Sequence, residues 1–499
     1  MAKFTIPRLN LVSFLLLVII LCSAFFRLYR VGELHTFHND EGRDVMIAQE
    51  MISSGKPTLL GPQTSVGNMY LGPLYYYLMV PSLLLSRGDP VGPAIMVGLS
   101  GVLTTYLIFL LSRKWFGSSS SALISSGIFA ISPLFVHYTA SSWNPNLVPL
   151  VAILILLAWE RQSYLIIGIL FGVLFQLHYV AMAYALVVAL ALFVINKNLR
   201  FVPLLILGFF ISTAPFWLFE VRHDFLNIQA LFSYLEGSGV KNGSTAPYIQ
   251  RVASNAGDII TNIVLSRTFT YNSTNLFLSL TTTVILFMSL PWFMSKTGQK
   301  SSFKLWYLLI STLLVSSILK EKLYPHYLGY LFPVISLLIG SLVCSKYKLV
   351  RTVGFVYALV WTIYSAPVTI KALGGEGSMQ KLKGIEVAGY IMRDSGGKPY
   401  NVVASPSNSR ETTYLYYLRR LSNSPSISPE KLLYIICEDA PCTDKDAQSP
   451  LIFARGVAHP YLDSTLTHPY LPISESKKAI ISTTHIVYGV WVARVIVGE

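Results

Sequence analysis

Charge is scarce in this sequence. Of its 499 residues only 12% are Asp, Glu, Lys or Arg, about half the share of a soluble globular chain. With 53% hydrophobic residues and a mean hydropathy of +0.55, that shortfall excludes an ordinary water-soluble protein. Acids are scarcer still, 24 against 38 Lys and Arg. The bases fall in short clusters between apolar runs, which is a topology pattern and not a phosphate-reading surface, so no nucleic-acid partner is expected. Cysteine is nearly absent. Cys22 and Cys344 lie in or beside apolar runs and read as small hydrophobes. Cys437 and Cys442 stand in a polar segment and pair if that segment faces an oxidising compartment. No Cys/His set stands at ligand spacing, so no metal or other cofactor is indicated. There is no glycine-rich phosphate loop, no nucleophile elbow and no tandem repeat. No small-residue cleavage site follows the first apolar run, which therefore reads as a retained anchor.

What is present is a series of apolar runs, many of them long enough, at about 17–25 residues, to cross a bilayer as helix. The first covers Leu11 to Phe26, and others lie near Val91–Leu111, Ala122–Val136, Phe201–Phe219, Leu276–Met294, Leu305–Leu319, Leu328–Val343 and Val353–Pro367. A further run ends at Trp159. Leu165 to Ile195 is too long for one span and short for two, and reads as two short helices meeting at His178. With the N-terminus inside, the inner loops hold Lys3/Arg8, Arg113/Lys114, Lys197/Arg200, Lys296/Lys300/Lys304 and Lys346/Lys348/Arg351, the positive-inside signature. The sequence thus predicts an α-helical polytopic membrane protein with its N-terminus in the cytoplasm and about eleven spans. Residues 1–370 form its transmembrane domain, with a first outer loop over 30–90, and residues 371–499 an extracytoplasmic α/β domain. In the latter, helices are predicted over Lys383–Met392 and Glu411–Leu421. Strands are predicted over Tyr400–Ala404, Leu432–Cys437, Ala479–Ser482 and Ile486–Val497. Two sequons, at Asn242 and Asn272, face outward and matter only in a eukaryotic host.

The polar residues concentrate outside. His38-Asn39-Asp40-Glu41-Gly42-Arg43-Asp44 places three carboxylates and an arginine in one segment, with a short helix predicted from Asp44 to Ser53. The plain alternative is a solvated loop whose arginine pairs with a neighbouring acid. An aromatic segment, Tyr70 to Tyr77 including Tyr75, is suited to an interface. His137, Asn144 and Asn146 belong to a second outer loop, His178 to a turn, and Lys320, Lys322, Tyr324, His326 and Tyr327 to a late one. Ionisable groups beside a bilayer default to functional candidates. Such a set suits transfer from an anionic lipid, a carboxylate serving as general base and cations holding the departing phosphate. Anchoring lysines, an interhelical His178 and an aromatic belt are the dull equivalents.

Asp40-Glu41-Gly42-Arg43-Asp44, followed by Tyr70-Leu71-Gly72-Pro73-Leu74-Tyr75-Tyr76, resembles the first periplasmic loop of the bacterial GT-C glycosyltransferases. These are relatives of protein O-mannosyltransferases and lipid A aminoarabinose transferases. The resemblance extends over the spans to about residue 345. It implies an inverting glycosyltransferase that moves a single sugar from a polyprenyl-phosphate donor to an acceptor glycan, lipid or protein. Asp40 would be the catalytic carboxylate, with Glu41 and Arg43 beside it, and the Lys320–Tyr327 stretch would lie near the lipid phosphate. Asp44, Tyr70, Tyr75, His137, Asn144, Asn146 and His178 would line the substrate pocket. The family's loop lysine falls on Leu71 here, which leaves phosphate binding to Arg43, Lys320 or Lys322. The acid of its second outer loop is replaced by Trp143-Asn144-Pro145-Asn146, which weakens any metal-binding role. A lipid-linked-sugar transporter or flippase, and a polysaccharide polymerase or ligase, are the alternatives.

Overall fold

The computed structural model describes residues 10–37, 39–64, 69–196, 199–236, 246–259, 300–320, 323–405, 411–421, 425–426, 430–438, 440–443 and 479–497. The expected span at 276–294, both sequons, Lys322, Lys3 and Arg8, Lys197 and Lys296 lie outside them. The chain divides into two compact units. One comprises Met1–Tyr29, Leu59–Tyr75 and Ile95–Gly375, and the other Arg30–Thr58, Tyr76–Ala94 and Glu376–Glu499.

The first unit is helical. Leu11–Leu28, Val91–Phe116, Phe201–Arg222 and Lys348–Gly374 are long and apolar enough to cross a membrane. Shorter apolar helices stand among them, and every residue of Leu331–Leu342 is buried, as expected of a helix apolar on all sides. The expected break at His178 is present: Tyr164–Leu177 and Met182–Ile195 meet there through a 3-10 turn. The expected span at 122–136 is instead two helices, Ser119–Ile131 and Pro133–Tyr138. Pro133 has no N–H to offer the carbonyl four residues back, Phe129. Arg27, fully buried, takes over: its Nη2 donates to the Phe129 oxygen and its Nη1 to that of Ala130, both at 3.0 Å, while Nε reaches Thr139 Oγ1 at 2.8 Å. Tyr164–Leu177 packs closely on Phe201–Arg222 because small residues face each other. A Cβ at Gly168 would run into the Leu205 carbonyl, and one at Gly208 into that of Leu165. The run Gly168-Ile169-Leu170-Phe171-Gly172 is the glycine spacing that lets membrane helices approach.

The second unit mixes helices with a four-stranded sheet of order β1-β2-β4-β3. The strands are β1 (Asn401–Ser405), β2 (Leu432–Cys437), β3 (Ala479–Val487) and β4 (Val490–Val497). β1 and β2 are parallel and are linked through the Glu411–Arg420 helix, as a parallel pair requires. The β-branched runs fill its core with Val403, Leu433, Ile435 and Val495. Cys437 and Cys442 are disulfide-bonded.

Two local expectations are corrected. The first-loop helix spans Asn39–Ser54, so Asp40 and Glu41 occupy its first turn, where free N–H groups and the helix dipole favour acids. Gly42 does not interrupt it. Its missing side chain admits the Glu411–Arg420 helix, since a Cβ would lie 2.9 Å from both the Thr412 carbonyl carbon and the Thr413 nitrogen. Tyr70, Tyr75 and Tyr76 do not lie at an interface; each is buried.

Candidate functional site

The carboxylate segment folds into a layered cluster on one helix. Asp40, Arg43 and Asp44 sit three and four residues apart, hence on one face. Arg43 joins the acids: Nη1 lies 2.9 Å from Asp40 Oδ1, while Nε and Nη2 lie 2.9 and 2.8 Å from Asp44 Oδ1. Asp40 is 48% exposed, whereas Asp44 is wholly buried. Tyr76 donates to Asp44 Oδ1 at 3.3 Å, and among the described residues Asp44 Oδ2 receives no hydrogen bond. Burial with that oxygen unsatisfied pushes the Asp44 carboxyl up to about 7, against the pull of the Arg43 cation. For Arg43 burial works the other way, but Asp44 and Asp40 outweigh it and hold the guanidinium charged. The plain pairing of arginine with acid therefore exists, but not in a solvated loop. Glu41 points elsewhere. It is buried, with Oε1 3.1 Å from His35 Nε2 and Oε2 accepting from Thr36 at 2.9 Å.

In the helical unit the later candidates gather around aromatic rings. His326 lies 4.4 Å, centroid to centroid, from both Trp143 and Tyr327, and 5.5 Å from Tyr138. Tyr327 also meets His178 at 4.4 Å, and Tyr324 stacks on His326 at 5.7 Å. Asn144 ties this end together by donating to the Leu177 carbonyl at 2.6 Å. Asn146 donates to the Ser141 carbonyl at 2.9 Å, and His137 packs on Tyr138. Burial lowers His178 to about 4; burial, with His178 and His137 adding to it, lowers His326 to about 3. At neutral pH these rings stack but carry no charge. Lys320 is exposed.

Three groups escaped the sequence reading. His35 and Tyr76 anchor Glu41 and Asp44 from six and thirty-two residues away, separations that no local spacing reveals. Buried Glu220 accepts from Asn227 Nδ2 at 2.7 Å, Asn227 Oδ1 accepts from the Tyr70 N–H at 2.6 Å, and the Tyr179 hydroxyl donates to the Tyr70 carbonyl. An acid at the end of an apolar run was the available signal for Glu220.

No protein-family model matches the chain, and no curated protein sequence matches it. Among solved structures it is similar to ArnT from Cupriavidus metallidurans bound to undecaprenyl phosphate. The TM-score is 0.60 and the identity 14%, over 96% of this chain and 97% of that one. The apo state of the same protein gives the same values. The Archaeoglobus fulgidus oligosaccharyltransferase aligns less well, with a TM-score of 0.47 and 13% identity over 85% of this chain and 68% of its own. Across nearly its whole length, the chain has the fold of ArnT.

Proposed function

We propose that the protein is an inverting glycosyltransferase of the extracytoplasmic face of a bacterial cytoplasmic membrane. It moves one sugar from a polyprenyl-phosphate donor to an acceptor hydroxyl. The observation that carries this reading is the Asp40–Arg43–Asp44 cluster at the start of one helix, in a chain with the fold of ArnT. Arg43 occupies Oδ1 of Asp40, and Oδ2 is the atom assigned to the acceptor. Asp40 takes the proton of the acceptor hydroxyl as that oxygen attacks the anomeric carbon. The bond from that carbon to the phosphate oxygen breaks, and its electron pair leaves with the lipid phosphate. Attack opposite the leaving group inverts the configuration. Asp44 fixes the Arg43 fork, and Arg43 supplies a cation for the phosphate. The neutral His326, Tyr327 and Trp143 rings supply stacking faces for the sugar or the chain. Residues 371–499 complete the extracytoplasmic portion. The acceptor is a glycan, lipid or protein.

The test is transfer from a panel of radiolabelled polyprenyl-phosphate monosaccharides by membranes carrying wild type or Asp40→Asn. Wild type moves label into a larger or lipid-free product, and Asp40→Asn is slower by about 10²–10⁴-fold, the usual weight of a general base. Equal transfer by both proteins removes Asp40 from the mechanism. Binding of donors without transfer supports a transporter, and dependence on an oligosaccharide donor supports a polymerase.

A further inference from the structure

The second unit contains a cleft that the transfer reaction does not use. It is about 530 Å³ and lies along the same Asn39–Ser54 helix, starting about half a turn beyond Asp44. Met46, Gln49 and Glu50, spaced three and four apart, form one wall. Tyr416, Arg419 and Arg420 repeat that spacing on the Glu411–Arg420 helix opposite. Leu83 and Leu84, from the end of the Leu74–Leu85 helix, and the Arg87–Gly88 turn close the third side.

The lining is unequal in charge and in polarity. Arg87, Arg419 and Arg420 give the lining three cationic side chains to the one carboxylate of Glu50. The turn that carries Arg87 is held in place. Both its residues have positive φ, 54° at Arg87 and 78° at Gly88. The Tyr416 hydroxyl and Arg420 Nη1 donate to the Gly88 carbonyl, and Arg420 Nη2 donates to that of Arg87 at 3.0 Å. Beside the cations Met46 and Leu83 are buried, and the apolar wall runs outward over Leu84 and Leu85, which are 59% and 88% exposed. A cation-rich hollow continued by exposed leucines fits a ligand with an anionic head and a hydrocarbon tail, the head drawn by the guanidinium charge and the tail covering the leucines.

We infer that this cleft binds the net-anionic phosphate-monoester headgroup of a lipid, with Arg87 and Arg419 on the phosphate and the acyl chain along Leu83 and Leu84. The assignment does not depend on the transfer reaction. It is tested by calorimetry on the full-length protein in neutral phosphatidylcholine nanodiscs, titrated with dihexanoyl phosphatidic acid, dihexanoyl phosphatidylcholine or inorganic phosphate. Phosphatidic acid binds wild type, and binding weakens about tenfold in Arg87→Gln, the loss expected for one charge-assisted hydrogen bond. Leu84→Ser weakens phosphatidic acid but leaves inorganic phosphate unchanged. Both positions are exposed and carry no packing load, so the variants fold, which a melting curve confirms. Unchanged affinity in Arg87→Gln overturns the inference, as does phosphatidylcholine binding as tightly as phosphatidic acid. Inorganic phosphate binding as tightly as phosphatidic acid overturns the lipid assignment and leaves a free anion as the ligand.

Discussion

Asp40 and Asp44 are four residues apart on one helix, share one arginine, and end in different surroundings. Asp40 faces solvent at 48% exposure and Asp44 has none. This difference makes Asp44 a stability switch. The folded protein keeps the Asp44 proton up to about pH 7, while an unfolded chain releases it near pH 4. Between those values unfolding releases a proton, so raising the pH destabilises the fold, by at most about 1.4 kcal/mol per pH unit. The stabilisation is complete below about pH 4 and lost above about 7. Melting temperatures of the purified protein, taken from pH 5 to pH 8, are expected to fall more steeply for wild type than for Asp44→Asn, which carries no titrating proton there. Parallel curves for the two proteins would show that Asp44 is ionised throughout.

At the scale of elements, the close seat of the Asn39–Ser54 helix against the Glu411–Arg420 helix depends on Gly42. A methyl group there meets backbone atoms of Thr412 and Thr413 at 2.9 Å, and backbone does not swing away as a side-chain end does. Gly42→Ala is expected to cost about 1–3 kcal/mol, in the range of overpacked cores, and to lower transfer along with stability because Asp40 and Arg43 flank it. A variant as stable and as active as wild type would show that the two helices separate freely. The same helix shows what a sequence discloses. Apolar runs and the β-branched stretches read as strands at 400–404 and 432–437 were legible, because burial demands them, but 486–497 is not the single strand expected: β3 continues to Val487 and turns through Tyr488 and Gly489, both at positive φ, into β4. So was the break at His178, because 31 apolar-rich residues fit no single span. The start of the first-loop helix was not: acids at a helix N-terminus look like polar loop until the free N–H groups that stabilise them are known. The role of Gly42 was not legible either, being set by residues 370 positions away. Of the cluster, the arginine and its acids were legible as a group. Which acid is buried was not, since burial of Asp44 depends on packing that no local pattern encodes. The Gly168–Gly172 spacing was a readable signal that went unread.

At the scale of the whole molecule, the charge pattern and the packing of the helical unit agree on which helix ends belong together. Glu160 lies 2.8 Å from Lys304 and 3.8 Å from Lys114, so three helix ends assigned to one side by the positive-inside count do meet. Lys304 also sits over the Trp115 and Trp159 rings, at 5.6 and 5.1 Å, the aromatic and basic pairing typical of a membrane–water boundary. Such agreement fixes which ends share a side but not which side faces the cytoplasm. The proposed orientation puts the Lys348 end inside and the carboxylate helix outside. It is checked with single-cysteine reporters, Ser53→Cys or Lys348→Cys, in a chain carrying Cys22→Ser and Cys344→Ser, treated in intact bacterial spheroplasts with a membrane-impermeant maleimide. Both positions are exposed. The Ser53 reporter is expected to react at once, and the Lys348 reporter only after permeabilisation. The Cys437–Cys442 bond should stay closed in the same cells, because an oxidising compartment preserves it. The reverse labelling pattern, with that pair reduced, would place the carboxylate helix in the cytoplasm, away from any outward-facing lipid-linked donor, and the proposed reaction would fall with it.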